Sequence, residues 1–384
     1  MNKKIIFLTG TRADFGKLSS LIDIVEKSHT LESHIFVTGM HTLRKYGYTY
    51  DEIKKKGYKN VRVFNNQTST NQQDLILAKT VTGFSKFVKD VSPDMIIVHG
   101  DRIEALAGAI VGSFNNILVS HIEGGEISGP VDELIRHAVS KLSHIHFTAN
   151  YEAEQRLIQL GESKNSIFTI GSPDIEVMTN VDLPSHDQVL KHYKIPFENY
   201  RCFIFHPITT ELNTLDKQIN EVISALIESN KNYIIIYPNN DNGTDIILKK
   251  ISELKNNKKF MIFPSMRFLY FLTMLKNAQF IIGNSSAAIR EAEVFGTPAI
   301  NIGTRQKNRS KNKQIINVKA KKKLILDAIR QTENKKFKPK TFFGYVKNTT
   351  KKFLNVLENP KIWKTPIQKQ FIDMKNTHSM RSKN

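Results

Sequence analysis

The sequence predicts an α/β protein built as two doubly wound parallel-sheet units that face each other across a cleft. Three observations carry this. Short apolar runs bounded by Gly, Pro or polar residues are each followed by a stretch with apolar residues at three- and four-residue spacing. The alternation starts afresh after Pro184 and a polar stretch. A length of 384 residues suits two domains, given about 100–200 residues per domain.

In chain order, strands are expected at Ile5–Thr9, His34–Thr38, Met95–His99, Ile117–His121 and Ile145–Ala149. Helices are expected at Leu18–Val25, Leu75–Val88, Glu104–Val111, Glu133–Leu142 and Tyr151–Leu160. The second series has strands at Phe203–His206, Tyr233–Tyr237, Phe260–Phe263, Phe280–Gly283 and Ala299–Ile302. Its helices are Gln218–Glu228, Asp245–Leu254, Met266–Leu275 and Ala287–Phe295, and a last helical pattern runs from Phe342 to about Asn359. Ligands of such folds bind where the carboxyl ends of the strands face the cleft.

Composition removes several classes. With 40% hydrophobic and 24% charged residues the chain is globular rather than disordered. A single cysteine, Cys202, supports neither an intramolecular disulfide nor a zinc cluster and reads as a small buried hydrophobe. No apolar run reaches the ~20 residues of a membrane span, and the N-terminus turns polar after one strand, so no membrane partner and a cytoplasmic location are expected. The balance of 56 Lys+Arg to 36 Asp+Glu gives +20. The excess is scattered with asparagine and thickens after residue 305 (Lys307, Arg309, Lys311, Lys313, Lys319, Lys321, Lys322, Lys323), which reads as solvated surface. Without interleaved aromatics or a reading helix, nucleic acid is not an expected partner.

The chemistry concentrates at strand ends. Thr9-Gly10-Thr11-Arg12-Ala13-Asp14-Phe15-Gly16-Lys17 turns from strand to helix with small residues that admit a phosphate, although an ordinary tight turn explains it equally; it matches neither dinucleotide nor P-loop spacing. His99-Gly100-Asp101-Arg102 and His121-Ile122-Glu123-Gly124-Gly125-Glu126 follow neighbouring strands, and Asp132 and His137 lie in a third helical segment. Asp132 alone would read as a helix N-cap and Asp101 as a turn residue. Together, carboxylates converging on a cleft suit proton transfer at carbon, where one group takes a proton while another holds one. Neither metal-ligand spacing nor a G-x-S-x-G elbow is present. In the second unit His206 follows a strand, as does Asn239, and Gly283-Asn284-Ser285-Ser286-Ala287-Ala288-Ile289-Arg290-Glu291 begins a helix with hydroxyl residues. Those hydroxyls and free N–H groups could hold a diphosphate, Glu291 could accept from ribose hydroxyls, and Arg305 adds a cation.

These segments, with GTRADFGK at 10–17, HGDRIEALAGA at 99–109, HIEGGEISGPVDELIRHAVSKLSH at 121–144, FHPITTE at 205–211, YPNNDNG at 237–243 and GNSSAAIREAEVFGTPAINIGTRQ at 283–306, resemble the hydrolysing nucleotide-sugar 2-epimerases. The likeness runs in order from residue 3 to about 330. It departs locally at Ser128-Gly129-Pro130, where relatives often carry Thr or an acidic residue. The resemblance implies a glycosyltransferase-B type fold with an N-terminal Rossmann-like domain over 1–183, a nucleotide-binding Rossmann-like domain over 184–345 and a helical tail over 346–384. It implies catalytic roles for Asp101, Glu123, Asp132 and His206, and nucleotide contacts from Arg12, Arg102, Asn239, Ser285, Ser286, Glu291 and Arg305. The implied reaction takes UDP-N-acetylglucosamine to N-acetylmannosamine and UDP through a glycal, without cofactor or metal, for sialic-type acid synthesis. Sister enzymes act on UDP- or GDP-linked N,N'-diacetylbacillosamine toward legionaminic acid and share every named residue. A homo-oligomer is implied as well. Glycosyltransferases share the fold but have no need of three carboxylates. A nucleotide-sugar binder without activity and a polyanion-binding protein stand further off.

Overall fold

The computed structural model describes residues 2–68, 72–180, 182–306, 309, 312, 314–340, 346–370 and 372–373, without the side chains of 130 and 131. Thirteen strands lie among them: β1 (Lys3–Thr9), β2 (Leu31–Val37), β3 (Val61–Val63), β4 (Met95–His99), β5 (Leu118–Ile122), β6 (Ile145–Thr148), β7 (Ile167–Thr169), β8 (Arg201–Ile204), β9 (Tyr233–Ile236), β10 (Phe260–Phe263), β11 (Ile281–Gly283), β12 (Ala299–Ile302) and β13 (Ile315–Val318). They form two parallel sheets, ordered β3-β2-β1-β4-β5-β6-β7 and β10-β9-β8-β11-β12-β13. Ile, Val and Phe fill the central strands because helices cover both faces, so no position faces water. Ile96, Ile97 and Val98 of β4 and Ile234 and Ile235 of β9 are fully buried.

This is the two-sheet α/β architecture expected from sequence, and the strand order makes it functionally specific. The order in which the chain lays down its strands reverses between β1 and β4 in the first sheet and between β8 and β11 in the second. Crevices open at such switch points, beyond the carboxyl ends of the strands.

Several elements differ from the expected bounds. The edge strands β3, β7 and β13 and the helices Tyr50–Lys55, Pro173–Asn180, His186–Tyr193 and Lys322–Thr332 were not expected; short or half-exposed segments carry little apolar periodicity. The strand expected through His206 ends at Ile204, leaving His206 in the following loop. The final helix is Thr349–Glu358; residues 341–345 of that expectation, like Lys307, Lys311 and Lys313 of the charge-rich stretch, lie outside the described residues.

That final helix returns to the first sheet. Phe353 and Leu357 are fully buried in the core of β1, β2, β4 and β6, and the Phe353 and Phe147 rings sit edge-on at 4.9 Å. Lys369 Nζ then donates to the carbonyls of Ser143 at 2.6 Å and Lys141 at 2.9 Å, neutralising the negative end of helix Pro130–Leu142. Cys202 is fully buried, and burial pushes its thiol up to about 12. Among the described residues, no helix is long and apolar enough to cross a membrane.

Candidate functional site

All four switch-point strands feed one cleft. Arg12 follows β1, His99, Asp101 and Arg102 end or follow β4, His206 follows β8, and Ser285 and Ser286 follow β11. Glu123, Asp132, Asn239, Glu291 and Arg305 complete the wall. The eleven residues assigned catalytic or nucleotide-binding roles from sequence therefore all line this cleft.

The β1 turn is closed by its own helix. Thr11 caps helix Arg12–Val25 in a capping box with Asp14, and the Gly10 and Thr11 N–H groups donate to the Asp14 carboxylate at 2.9 and 3.0 Å. These backbone donors are thus occupied, and the turn offers the cleft a side chain instead. Arg12 Nε and Nη1 are buried with no hydrogen-bond partner, and burial lowers the guanidinium pKa. Such orphaned donors carry a desolvation cost that an anion in the cleft would relieve.

Asp101 and Asp132 are driven in opposite directions. Burial would raise Asp101, but Arg136, whose Nη2 donates to Oδ2, and the Ser128 hydroxyl, donating to the same oxygen at 2.6 Å, hold it well below the usual carboxylate range. Asp132 sits at the third position of helix Pro130–Leu142, whose N-cap is Gly129, so the capping role available to it in sequence is taken. Burial and the neighbouring Asp101 charge push its carboxyl up, against the pull of Arg305, whose Nη2 donates to it at 3.1 Å. Two carboxyls with opposed shifts in one cleft are the arrangement that divides acid from base.

Glu123 is held differently. It has left-handed backbone, φ 61°, a conformation costing a non-glycine residue about 1–2 kcal/mol, and its side chain is 2% exposed. Lys17 Nζ at 2.8 Å and His99 Nε2 at 3.1 Å donate to Oε2, while Arg290 Nη2 donates to Oε1 at 2.8 Å. Burial would raise Glu123, yet Arg290, Lys17 and His99 hold it well below the carboxylate range. His121, beneath, is buried and kept neutral by burial, its Nε2 donating to the Gly100 carbonyl at 2.8 Å. It shapes the turn before Asp101. His137 is half-exposed at 46% and does not line the cleft.

On the opposite wall, the Asn239 N–H donates to His206 Nδ1 at 3.0 Å, which leaves the ring proton on Nε2. Burial, then the Arg305 and Arg102 charges, keep this imidazole neutral. Asn284 fixes the loop by accepting from the His206 N–H and donating to its carbonyl. Arg102 bridges the halves, donating to Asn240 Oδ1 at 3.0 Å and pairing with Glu104 at 3.4 Å. The helix expected over Ala287–Phe295 is broken into a 3-10 turn, Ser286–Ala288, capped by Ser285, and a short helix, Glu291–Phe295. The break falls at Arg290, whose side chain crosses to the first half. Glu291 beyond it has a buried Oε2 with no partner, and burial plus the Asp174 charge raise its carboxyl.

Comparison with known proteins assigns the family and the fold. A family model described as UDP-N-acetylglucosamine 2-epimerase matches residues 23–358. A protein of that name from Neisseria meningitidis serogroup B is 46% identical over 375 residues, 97% of this chain and 99% of the relative. The chain belongs to the UDP-N-acetylglucosamine 2-epimerase family. A UDP-N,N'-diacetylbacillosamine 2-epimerase (hydrolyzing) of Legionella pneumophila is 34% identical over 87% of this chain and 90% of its own. A crystal structure of a Neisseria meningitidis UDP-GlcNAc 2-epimerase bound to UDP-GlcNAc superposes with a TM-score of 0.75 at 17% identity, covering 92% of this chain and 99% of that one. It shares the two-sheet fold.

In this member of the epimerase family, sequence reasoning passed over part of the cluster. Asp174 is fully buried, pairs with Lys17 at 3.2 Å and Arg290 at 3.3 Å, and shares the Ser172 hydroxyl with Glu123. The available signal was the apolar run of β7 ending in Gly171-Ser172-Pro173-Asp174, another strand end followed by a helix. Arg309, grouped by sequence with the solvated charge, donates from Nε to the Ile127 carbonyl at 2.8 Å and lines the cleft.

Proposed function

We propose that this chain is a hydrolysing 2-epimerase of a nucleotide-activated 2-acetamido sugar, converting UDP-N-acetylglucosamine to N-acetylmannosamine and UDP for sialic-type acid synthesis. The observation that carries the reading is the oppositely shifted pair Asp101 and Asp132 in a cleft with unpartnered anion-binding and hydroxyl-accepting groups. In this reading the chain divides into the domains 1–183 and 184–345 and the tail 346–384, and works in the cytoplasm as a homo-oligomer.

Elimination comes first. The base takes the C2 proton, the C1–O bond to the diphosphate breaks, and a C1=C2 glycal forms as UDP departs. Asp101 suits the base: it is ionised, and Oδ1 accepts none of the hydrogen bonds that hold Oδ2. Asp132, kept protonated by its raised pKa, then gives its proton to C2 on the opposite face while water adds its oxygen to C1; the proton that water loses restores Asp132, and Asp101 releases the C2 proton to solvent. Glu123, saturated by Lys17, His99 and Arg290, supplies fixed negative charge near the cationic character developing at C1. His206 offers a neutral Nε2–H to the departing diphosphate. Arg12 and Arg305 meet the phosphates, and Ser285, Ser286 and Glu291 take the nucleoside, with Arg102 and Asn239 bordering it. The orphaned Arg12 and Glu291 atoms support those assignments.

A second reading keeps the chemistry and changes the sugar to UDP- or GDP-N,N'-diacetylbacillosamine, giving 2,4-diacetamido-2,4,6-trideoxymannose. The Legionella relative's name favours it; the higher identity to the Neisseria relative favours the first. Parallel assays of nucleotide release from the three donors, with product configuration read by NMR, decide between them. Release of gluco-configured sugar from every donor would overturn both readings and leave a hydrolase, or a transferase lacking its acceptor.

A further inference from the structure

Among the charged groups of the second half, Arg290 reaches into the carboxylate cluster of the first. Its Nη1 donates to Glu126 Oε2, and its Nη2 lies 2.8 Å from Glu123 Oε1, 2.8 Å from Ser172 Oγ and 3.3 Å from Asp174 Oδ2. The side chain is 4% exposed. We propose that Arg290 is a positioning residue of the reaction: it ties the Ser285–Glu291 segment to Glu123, so that the carboxylate set is complete only with that segment seated. This rests on the epimerase reading above.

Three features support it. The backbone gives up helical continuity at this residue, with φ −105° and ψ −72° between the 3-10 turn and the short helix, and the distortion delivers the guanidinium across the seam. Charge balance requires it: Glu123, Glu126 and Asp174 converge on Lys17 from helix Arg12–Val25 and on Arg290. His99 faces Glu123 from the end of β4, Glu291 adds a further carboxyl, and Arg136 is committed to the Glu123 carbonyl and to Asp101. Without Arg290, three buried carboxylates would face one lysine, and a proton would be drawn onto one of them. Finally, the guanidinium fork spans two carboxylates from separate nitrogens, which an ammonium on a shorter reach does not reproduce.

The test uses full-length wild type, Arg290→Gln and Arg290→Lys, with UDP-N-acetylglucosamine turnover followed across pH and UDP affinity measured by calorimetry. For Arg290→Gln the expectation is a kcat fall of about 10²-fold, an acid limb of the kcat profile moved up by about 1–3 pH units, and a UDP Kd within about threefold of wild type. A kcat loss with an unmoved limb, or a loss confined to UDP affinity, would overturn the proposal. Should Arg290→Gln fail to fold, Arg290→Lys decides. It is expected to lose about tenfold in kcat with a smaller upward limb shift, and a wild-type kcat and profile would overturn the proposal. Wild-type protein that turns over no nucleotide sugar would instead count against the reading of function.

Discussion

Replacing Lys17 by methionine tests the buried cluster most severely. Lys17 Nζ lies 2.8 Å from Glu123 and 3.2 Å from Asp174, with the side chain 13% exposed. At 2.8 Å and an effective dielectric of about 20, the first pair alone has a gross attraction of about 6 kcal/mol. Desolvation offsets much of that in the intact pair, but deleting one partner strands the other, so the expected loss is about 3–5 kcal/mol. The single tryptophan, Trp363, packs against the first core, so its fluorescence reports unfolding of the half that holds Lys17. With a urea dependence of about 2–3 kcal/mol per molar, the midpoint should fall by about 1–2.5 M at pH 7. The pH dependence has a definite sign. Burial would raise Glu123 and Asp174, but Lys17 and Arg290 depress both, so their stabilisation is present above the unfolded values of about 4.3 and 3.9 and is lost as pH falls through the lower folded values. The difference between wild type and Lys17→Met should therefore be full at pH 7 and shrink below about pH 4.5. A midpoint change under about 0.3 M at pH 7, or a difference that does not narrow in acid, would refute the electrostatic account of this cluster.

Asp101→Asn, Glu123→Gln and Asp132→Asn should each lower kcat by about 10²–10⁴-fold with UDP affinity, by calorimetry, nearly unchanged; full activity in any one removes that residue from the mechanism. Ser286→Ala combined with Glu291→Ala should weaken UDP binding by about 1–3 kcal/mol through lost hydrogen bonds, and an unaltered Kd would move the nucleoside elsewhere. Phe353→Ala should cost about 3–5 kcal/mol, seen as an earlier tryptophan transition, because the ring is fully buried against Phe147; a wild-type transition would mean that the last helix does not brace the first sheet.

Legibility followed burial. The runs Met95–His99, Phe260–Phe263 and Ala299–Ile302 have the same bounds in sequence and structure, since apolar strands flanked by polar turns have no other reading. The edge strand Val61–Val63 is largely exposed and short, so neither alternation nor a continuous run marks it. The cleft-lining residues after strands β1, β4, β8 and β11 were legible because a parallel sheet directs its carboxyl ends toward such a cleft. What local pattern could not supply was pairing over distance. Lys17 finds Glu123 at a separation of 106 positions, and Arg290 finds it at 167. Arg290 lay within a periodic stretch, where Ala287–Phe295 reads as one helix, and only the cross-seam ion pairs explain why the helix breaks there.

The central claim is that the chain moves a proton at C2 while the nucleoside diphosphate leaves C1, and turnover in deuterated water tests it most directly. Purified protein, UDP-N-acetylglucosamine and NMR of the released sugar suffice. Deuterium at C2 of a manno-configured product, appearing in step with UDP, is the predicted result. UDP release with protium retained at C2 would contradict the proton-transfer role assigned to Asp101 and Asp132.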